Sequence, residues 1–276
     1  MKLISSPEEV LNAVQHAKKC AVVYCTNFYP SQPKLADWIA NGQLRFQVRE
    51  NSVLFLREDR DFWHLYFCAS NRDSLSRCLC ETRELRQEAM VADVIGEFGP
   101  LEGLIPVLAQ AGLRPYNQLS RMVRPAHKEQ PTPADDQRKS GRGFANEGEG
   151  KAILTLIEAA FDRYSKQIPS TREIHAAIEA CQILTVRHED ELAGLLFFET
   201  RGVTSTLRFW TVAEQFRDRH LGSELMRQYL TTQSTVQRFV LWVESDNTDT
   251  VQKYRHYHYT KDRVTDYVLA NDLIPR

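Results

Sequence analysis

Apolar residues recur at helical spacing in some segments and alternate or cluster in short runs in others, and the two kinds take turns along the chain. Over 151–164 an apolar stripe runs through Ile153, Leu154, Leu156, Ile157, Ala160 and Phe161, which predicts an amphipathic helix. A second helix starts after Pro169, with Ser170 as its N-cap and Glu173 three residues on, the pattern of a capping box. The runs 182–187, 192–200 and 204–212 read as strands, separated by the turns His188-Glu189-Asp190-Glu191 and Arg201-Gly202. A charged turn, a helix over 223–232, a strand over 238–243, a helix over 248–255 and a strand over 263–269 follow.

The first half repeats this order. Helices are predicted over 7–18, 34–40, 74–84 and 101–111, and strands over 21–24, 44–48, 53–57, 63–68, 90–95 and 117–123. Residues 107–124 line up with 252–269, each reading helix, bend, terminal strand. The halves are therefore read as a diverged tandem repeat, 1–124 and 151–276. The polar stretch 125–150, with three prolines, four glycines and no apolar period, reads as a linker. The expected fold is α/β: two lobes, each a mixed, mostly antiparallel sheet with helices on both faces.

Composition narrows the partners. The 276 residues are 42% hydrophobic and 26% charged with a net charge of -1, so neither a nucleic-acid partner nor disorder is expected. No apolar run approaches the roughly 18 residues of a membrane span. The beginning MKLISSPEEV has no apolar core of the kind a signal peptide needs, which with the scattered cysteines suggests a cytoplasmic protein. Most of Cys20, Cys25, Cys68, Cys78, Cys80 and Cys181 read as buried thiols; Cys78 and Cys80 lack a second pair, and no metal is expected. His256 and His258 read as a polar, aromatic bend, and Gly148-Glu149-Gly150-Lys151 falls short of a phosphate-binding Walker loop. Trp63 and Phe62 are expected in the core.

The candidate chemistry lies after the strand 204–212, where Arg217-Asp218-Arg219-His220-Leu221-Gly222-Ser223 turns into a helix. The first N–H groups of a helix have no internal partners and sit at the positive end of its dipole, so an anion such as a diphosphate can accept from several at once. Gly222 permits close backbone approach, and Arg217 and Arg219 add positive charge.

This stretch resembles motif A of the GNAT superfamily of acyl-CoA-dependent N-acyltransferases, Arg/Gln-x-x-Gly-x-Gly/Ala. Arg217 fills the first position and Gly222 the last, with His220 where the first glycine is usual. Residues 192–196 look like the family's third strand and 169–174 like its second helix. Asn247-x-x-Thr250-x-x-x-Tyr254-x-x-x-His258-Tyr259 resembles motif B, with Thr250 as a small substitute and His258 replacing a glycine. The resemblance covers about 151–269.

It implies an acyl-CoA co-substrate, acetyl-CoA or another short acyl-CoA. The pantetheine arm would bond to Trp210, Thr211 and Val212, the diphosphate would rest on 217–223, and the thioester would lie near Tyr254, with Asn247 and Thr250 also at the cofactor. A phenol can protonate a departing thiolate. The general base is assigned to Glu244, with Asp246 and Glu199 as further candidates, because the strand 204–212 carries no carboxylate. The implied function is N-acetyl transfer to a primary amine of a small molecule or peptide by direct attack; the alternative is an inactive GNAT-fold binding or regulatory protein. The acceptor stays open among aminoglycosides, polyamines, amino acids, peptide N-termini and carrier-bound intermediates, as does the choice of monomer or dimer. The first half has no glycine turn: Ala69-Ser70-Asn71-Arg72-Asp73-Ser74 carries one arginine, and Asp73 would repel phosphate, so this lobe is expected to lack a cofactor site.

Overall fold

The computed structural model describes residues 1–21, 23–126 and 143–275. Most of the linker expected over 125–150 lies outside the described residues. The chain forms two compact units, Met1–Leu119 with Arg263–Arg276, and Ser120–Asp262. The tandem halves thus exchange ends: each compact unit takes its final strand from the other half of the sequence.

In unit 1, strands β1 (Lys2–Leu3), β3 (Leu44–Arg49), β4 (Ser52–Asp59), β5 (Phe62–Ala69), β6 (Met90–Glu97) and β12 (Thr260–Ala270) lie side by side in that order, with β2 (Cys25–Thr26) on β5. All registered pairs are antiparallel except β5–β6, and β12 pairs with β6 from Val264↔Glu97 to Ala270↔Val91. Helices α1 (Pro7–Lys19) and α2 (Gln32–Ala40) cover a core with Trp38, Phe55 and Tyr66. Helices α3 (Arg72–Cys80), α4 (Phe98–Glu102) and α5 (Ile105–Gln110) accompany a second core around Leu65, Phe67 and Leu108. Phe62 is buried, while Trp63 is half-buried with the Arg45 guanidinium 4.8 Å from its ring.

In unit 2 the order is β7 (Arg114–Pro125), β11 (Arg238–Glu244), β10 (Thr204–Val212), β9 (Glu191–Arg201), β8 (Ile183–His188). Strands β10 and β11 are parallel, and β8–β9 and β9–β10 antiparallel. Helices α6 (Gly150–Ala160) and α7 (Thr171–Glu179) bury Ile153, Ile157 and Ile174 with Phe197 and Phe209; α8 (Leu221–Thr232) and α9 (Thr248–His256) bury Leu225, Tyr229 and Tyr254 with Leu207 and Phe239. The mixed sheets with two helical layers are those the hydrophobic pattern led us to expect.

Local chemistry explains where elements start and stop. The Ser170–Glu173 capping box is present, with Ser170 Oγ accepting from Glu173 N at 3.2 Å and Glu173 Oε2 accepting from Ser170 N at 2.9 Å. Glu189 and Asp190 both have positive φ, 49° and 65°, the conformation that turns a tight hairpin. The helix expected over 151–164 ends at Ala160, because the Asp162 carboxylate accepts from the N–H groups of Tyr164 and Ser165 and holds a turn instead. The helix expected over 101–111 is two short ones: Pro106, which supplies no N–H, starts the second. The strand expected over 21–24 is displaced to Cys25–Thr26. The cysteine expectation also needs correction: only Cys68 and Cys78 are buried, while Cys20, Cys80 and Cys181 are exposed. No metal-holding cluster occurs among the described residues.

Candidate functional site

The site of unit 2 begins with a fault in β10. Its register against β9 shifts between Leu207 and Phe209, so Arg208 is an extra residue. The consequence shows in the packing: Leu207 joins the core under α8 and α9, whereas Phe209, two residues on, joins the core under α6 and α7. The parallel ladder to β11 stops at the same place, its last pair being Leu207↔Leu241. Beyond it β10 continues to Val212 and β11 to Glu244 without pairing to each other. Two strands that share a ladder and then part leave backbone polar groups facing a slot, available to an extended chain carrying amides.

Trp210 stands on the slot's α8–α9 side. Its ring centroid lies 5.6 Å from that of Tyr254 and 5.9 Å from that of Tyr257, and its indole N–H is buried without a hydrogen-bond partner. A buried orphan donor is costly, and a ligand acceptor would relieve it. Thr211 and Val212 are half-buried.

The slot leads to the start of α8. Phe216, buried at 8% exposure, pins the preceding turn against the His188 ring, 5.3 Å away. Asp218 and His220 both adopt left-handed backbone, φ 68° and 60°. His220 is the N-cap, yet no side chain caps the helix, and the first helical bond runs from Glu224 N to His220 O. The N–H groups of Leu221, Gly222 and Ser223 are left at the positive end of the dipole. The matching helix of unit 1 differs: α3 is capped by Asn71, whose Oδ1 accepts from Ser74 N at 2.8 Å. A Cβ on Gly222 would meet Trp210 Cζ2 at 3.4 Å, ordinary contact.

The arginines divide. Arg219 donates to His188 Nε2 at 2.8 Å, away from a shared grip on an anion at the helix start, and Arg217 makes an exposed 3.8 Å pair with Glu214. Two cations absent from the sequence reading lie along the same helix: Arg227 and the buried Arg124 line a cleft of about 350 Å³ with Ser223, Leu230, His256 and Tyr257. Arg227 follows Ser223 by one helical turn, a spacing legible in the sequence; Arg124 enters only through folding.

On α9, Asn247 caps the helix, Oδ1 accepting from Thr250 N at 3.0 Å, so both motif B residues serve the helix start. Tyr254 is buried at 7% exposure, and burial pushes its phenol well above the ordinary tyrosine value, keeping it protonated. The C-terminus is a Schellman turn: Tyr259 N donates to Tyr254 O at 3.1 Å, His258 N to Arg255 O at 2.9 Å, and His258 has φ 64°. Thus both histidines that replace family glycines hold the left-handed backbone for which glycine is suited. In unit 1 the equivalent turn puts Gly112, φ 92°, in the place of His258, one residue off the alignment read from the sequence.

The carboxylates separate as well. Glu244 ends β11 and is half-buried, while Asp246 is exposed. Glu199 is committed to ion pairs with Arg208 and, at 3.3 Å, Arg201. Arg208, the bulge residue, also donates to Gln167 O at 3.2 Å, and Lys166 donates to Trp242 O at 3.2 Å, so the loop after α6 reaches both parted strands.

The model of the acetyltransferase (GNAT) family matches residues 151–259, which hold the bulge, the parted strands and both helix starts. Residues 151–259 are a GNAT-family domain. Solved structures extend the likeness beyond the GNAT match. A GCN5-related N-acetyltransferase from Sphaerobacter thermophilus is 13% identical, with 88% of this chain and 86% of that one covered, at a TM-score of 0.60. A tandem GNAT protein from the clavulanic acid biosynthesis pathway, described as without AcCoA, is 11% identical over 99% and 98% at 0.59. A GCN5-related N-acetyltransferase from Kribbella flavida is 13% identical over 87% and 95% at 0.55. At these identities the likeness is one of fold. No curated protein sequence matches the chain.

Proposed function

We propose that unit 2 binds a short acyl-CoA, acetyl-CoA first among them, and transfers the acyl group to a primary amine. The observation that carries this reading is the end of the β10–β11 ladder at Leu207↔Leu241, directly at the Arg208 bulge, in a slot leading to an uncapped helix start. The residues fit the group: the N–H groups of Leu221, Gly222 and Ser223 suit a diphosphate, and the freed edge at Trp210–Val212 suits the amides of a pantetheine arm. Arg227 and Arg124 add positive charge along the helix.

The bound thioester supplies an activated acyl carbon. An amine nitrogen that has lost its proton attacks that carbon, the C–S bond breaks, and the Tyr254 phenol offers its proton to the departing sulfur. The raised phenol keeps that proton at neutral pH, so Tyr254 starts in the correct state. Glu244 is the proposed acceptor of the amine proton. Glu199 is a poorer choice, since its charge is tied to Arg208.

A binding role without transfer is the second reading, favoured by Arg208 and the absence of any carboxylate along β10. Calorimetric titration with acetyl-CoA and with CoA, followed by thiol release in the presence of a panel of amines, separates the two. Micromolar binding with amine-dependent thiol release supports the enzyme. Binding without release supports the second reading, and no binding at millimolar acetyl-CoA refutes the enzyme and leaves a non-catalytic binding or regulatory role.

A further inference from the structure

Unit 1 has its own pair of parting strands. The parallel ladder of β5 and β6 comprises only Trp63↔Met90 and His64↔Val91. The edge of β5 beyond it is occupied by the protein itself. Val23 N donates to Ser70 O at 3.2 Å, Cys25 and Thr26 pair antiparallel with Ala69 and Cys68, and Asn27 N donates to Phe67 O at 3.3 Å. The Asn27 carboxamide then bridges the two strands. Its Oδ1 accepts from Phe67 N at 2.7 Å, while its Nδ2 donates to Leu65 O at 3.0 Å and, on β6, to Asp93 O at 2.9 Å. Phe28 continues the segment, its ring stacked on Phe55 with centroids 4.3 Å apart.

We propose that unit 1 contains a second slot for an extended, amide-bearing chain, that the protein fills it with its own residues 25–27, and that acyl-CoA is thereby shut out of it. The Asn27 amide takes hydrogen bonds that an amide of a pantetheine arm would need, on both strands at once. An incoming chain would have to strip away a two-residue strand and this bridge before forming any bond of its own. The adjoining helix start gives no compensation, because Asn71 already caps α3 and Asp73 places a negative charge in its first turn. One acyl-CoA per chain is the consequence. That count rests on the acyl-CoA reading of unit 2; the filled slot does not.

Residue-resolved amide exchange of the whole protein, with and without acetyl-CoA, tests this together with the binding stoichiometry. In the free protein the N–H groups of Asn27 and Phe67 should exchange slowly, as in a strand, and Asn27→Ala should speed Phe67 at least roughly tenfold. Added acetyl-CoA should slow exchange in β10 and at the start of α8, leave 65–69 and 91–93 unchanged, and titrate with a stoichiometry of one. A stoichiometry of two, new protection over 65–69, or loop-like exchange of Asn27 and Phe67 in the free protein overturns the proposal. If acetyl-CoA does not bind at all, the reading of unit 2 fails, while exchange at Asn27 and Phe67 still decides whether the slot is filled. Should Asn27→Ala fail to fold, the wild-type exchange and stoichiometry carry the test.

Discussion

His220 and His258 should be replaceable by glycine with a gain in stability. Both have left-handed backbone, φ 60° and 64°. That conformation costs an L-residue roughly 1–2 kcal/mol, with histidine towards the lower end. Glycine escapes the cost but loses about 0.5–1 kcal/mol through its freer unfolded chain. The difference leaves each substitution stabilising by up to about 0.5 kcal/mol, since neither imidazole is buried and both turns hold backbone hydrogen bonds. The double variant should gain up to about 1 kcal/mol, which in a unit of this size raises Tm by about 2–4 °C. Thermal unfolding followed by circular dichroism measures it, with Glu224→Gly in the first turn of α8 as the control, expected to lose up to about 1 kcal/mol. If His220→Gly and His258→Gly destabilise as the control does, the backbone argument for the departures from the family pattern is wrong. His220→Gly should also leave acetyl-CoA affinity equal or stronger by calorimetry, because it opens space beside the uncapped N–H groups.

Tyr254→Phe keeps the buried ring and removes only the hydroxyl, so kcat should fall at least roughly 100-fold with little change in KM for acetyl-CoA; an unchanged kcat in steady-state assays removes Tyr254 from proton transfer. Unit 1 should lose stability in acid in two stages. Burial pushes His64 below its ordinary value, so it is neutral when folded, and stability falls as pH drops below about 6.5, where the unfolded chain takes up the proton. Burial alone would raise Asp59, but the His64 hydrogen bond and the Arg57 charge outweigh it and hold the carboxyl at about 2. Its contribution is present above about pH 4 and lost as pH approaches 2. Urea midpoints against pH should show the upper stage flattened in His64→Gln and the lower one reduced, because Asp59 loses the His64 imidazole and keeps the Arg57 charge. Asn271→Ala should cost about 2–4 kcal/mol by urea unfolding, because the buried carboxamide serves Met90 N, Leu85 O and Glu88 O.

What could be read from the sequence was local. The Ser170–Glu173 box and the hairpin turn at Glu189-Asp190 are each written in a few neighbouring residues, and the structure has both. The break at Pro106 is equally local, a proline within an apolar helical spacing. The bulge left a fainter mark: Phe209 and Trp210 are consecutive large apolar residues in an otherwise alternating strand, the sign that one residue is out of register. The parting of β10 from β11 and the approach of Arg124 to α8 depend on pairing and packing between distant segments, which no period in the sequence encodes. The start of α8 is legible in residues 217–223, but the two arginines expected to serve it have other partners, Arg219 donating to His188 and Arg217 pairing with Glu214.

The exchange of terminal strands sets an order of events during synthesis. Unit 1 needs β12 beside β6, but β12 is translated after the whole of unit 2. At about 5–20 residues per second, the ribosome takes roughly 7–30 s to pass from the end of β7 to β12. For that interval the nascent first lobe presents the β6 edge, with Val91 and Ala92, to whatever is nearby. The early part of the chain is thus the last to finish folding, and its exposure to chaperones and to premature pairing is fixed by the time needed to translate its neighbour.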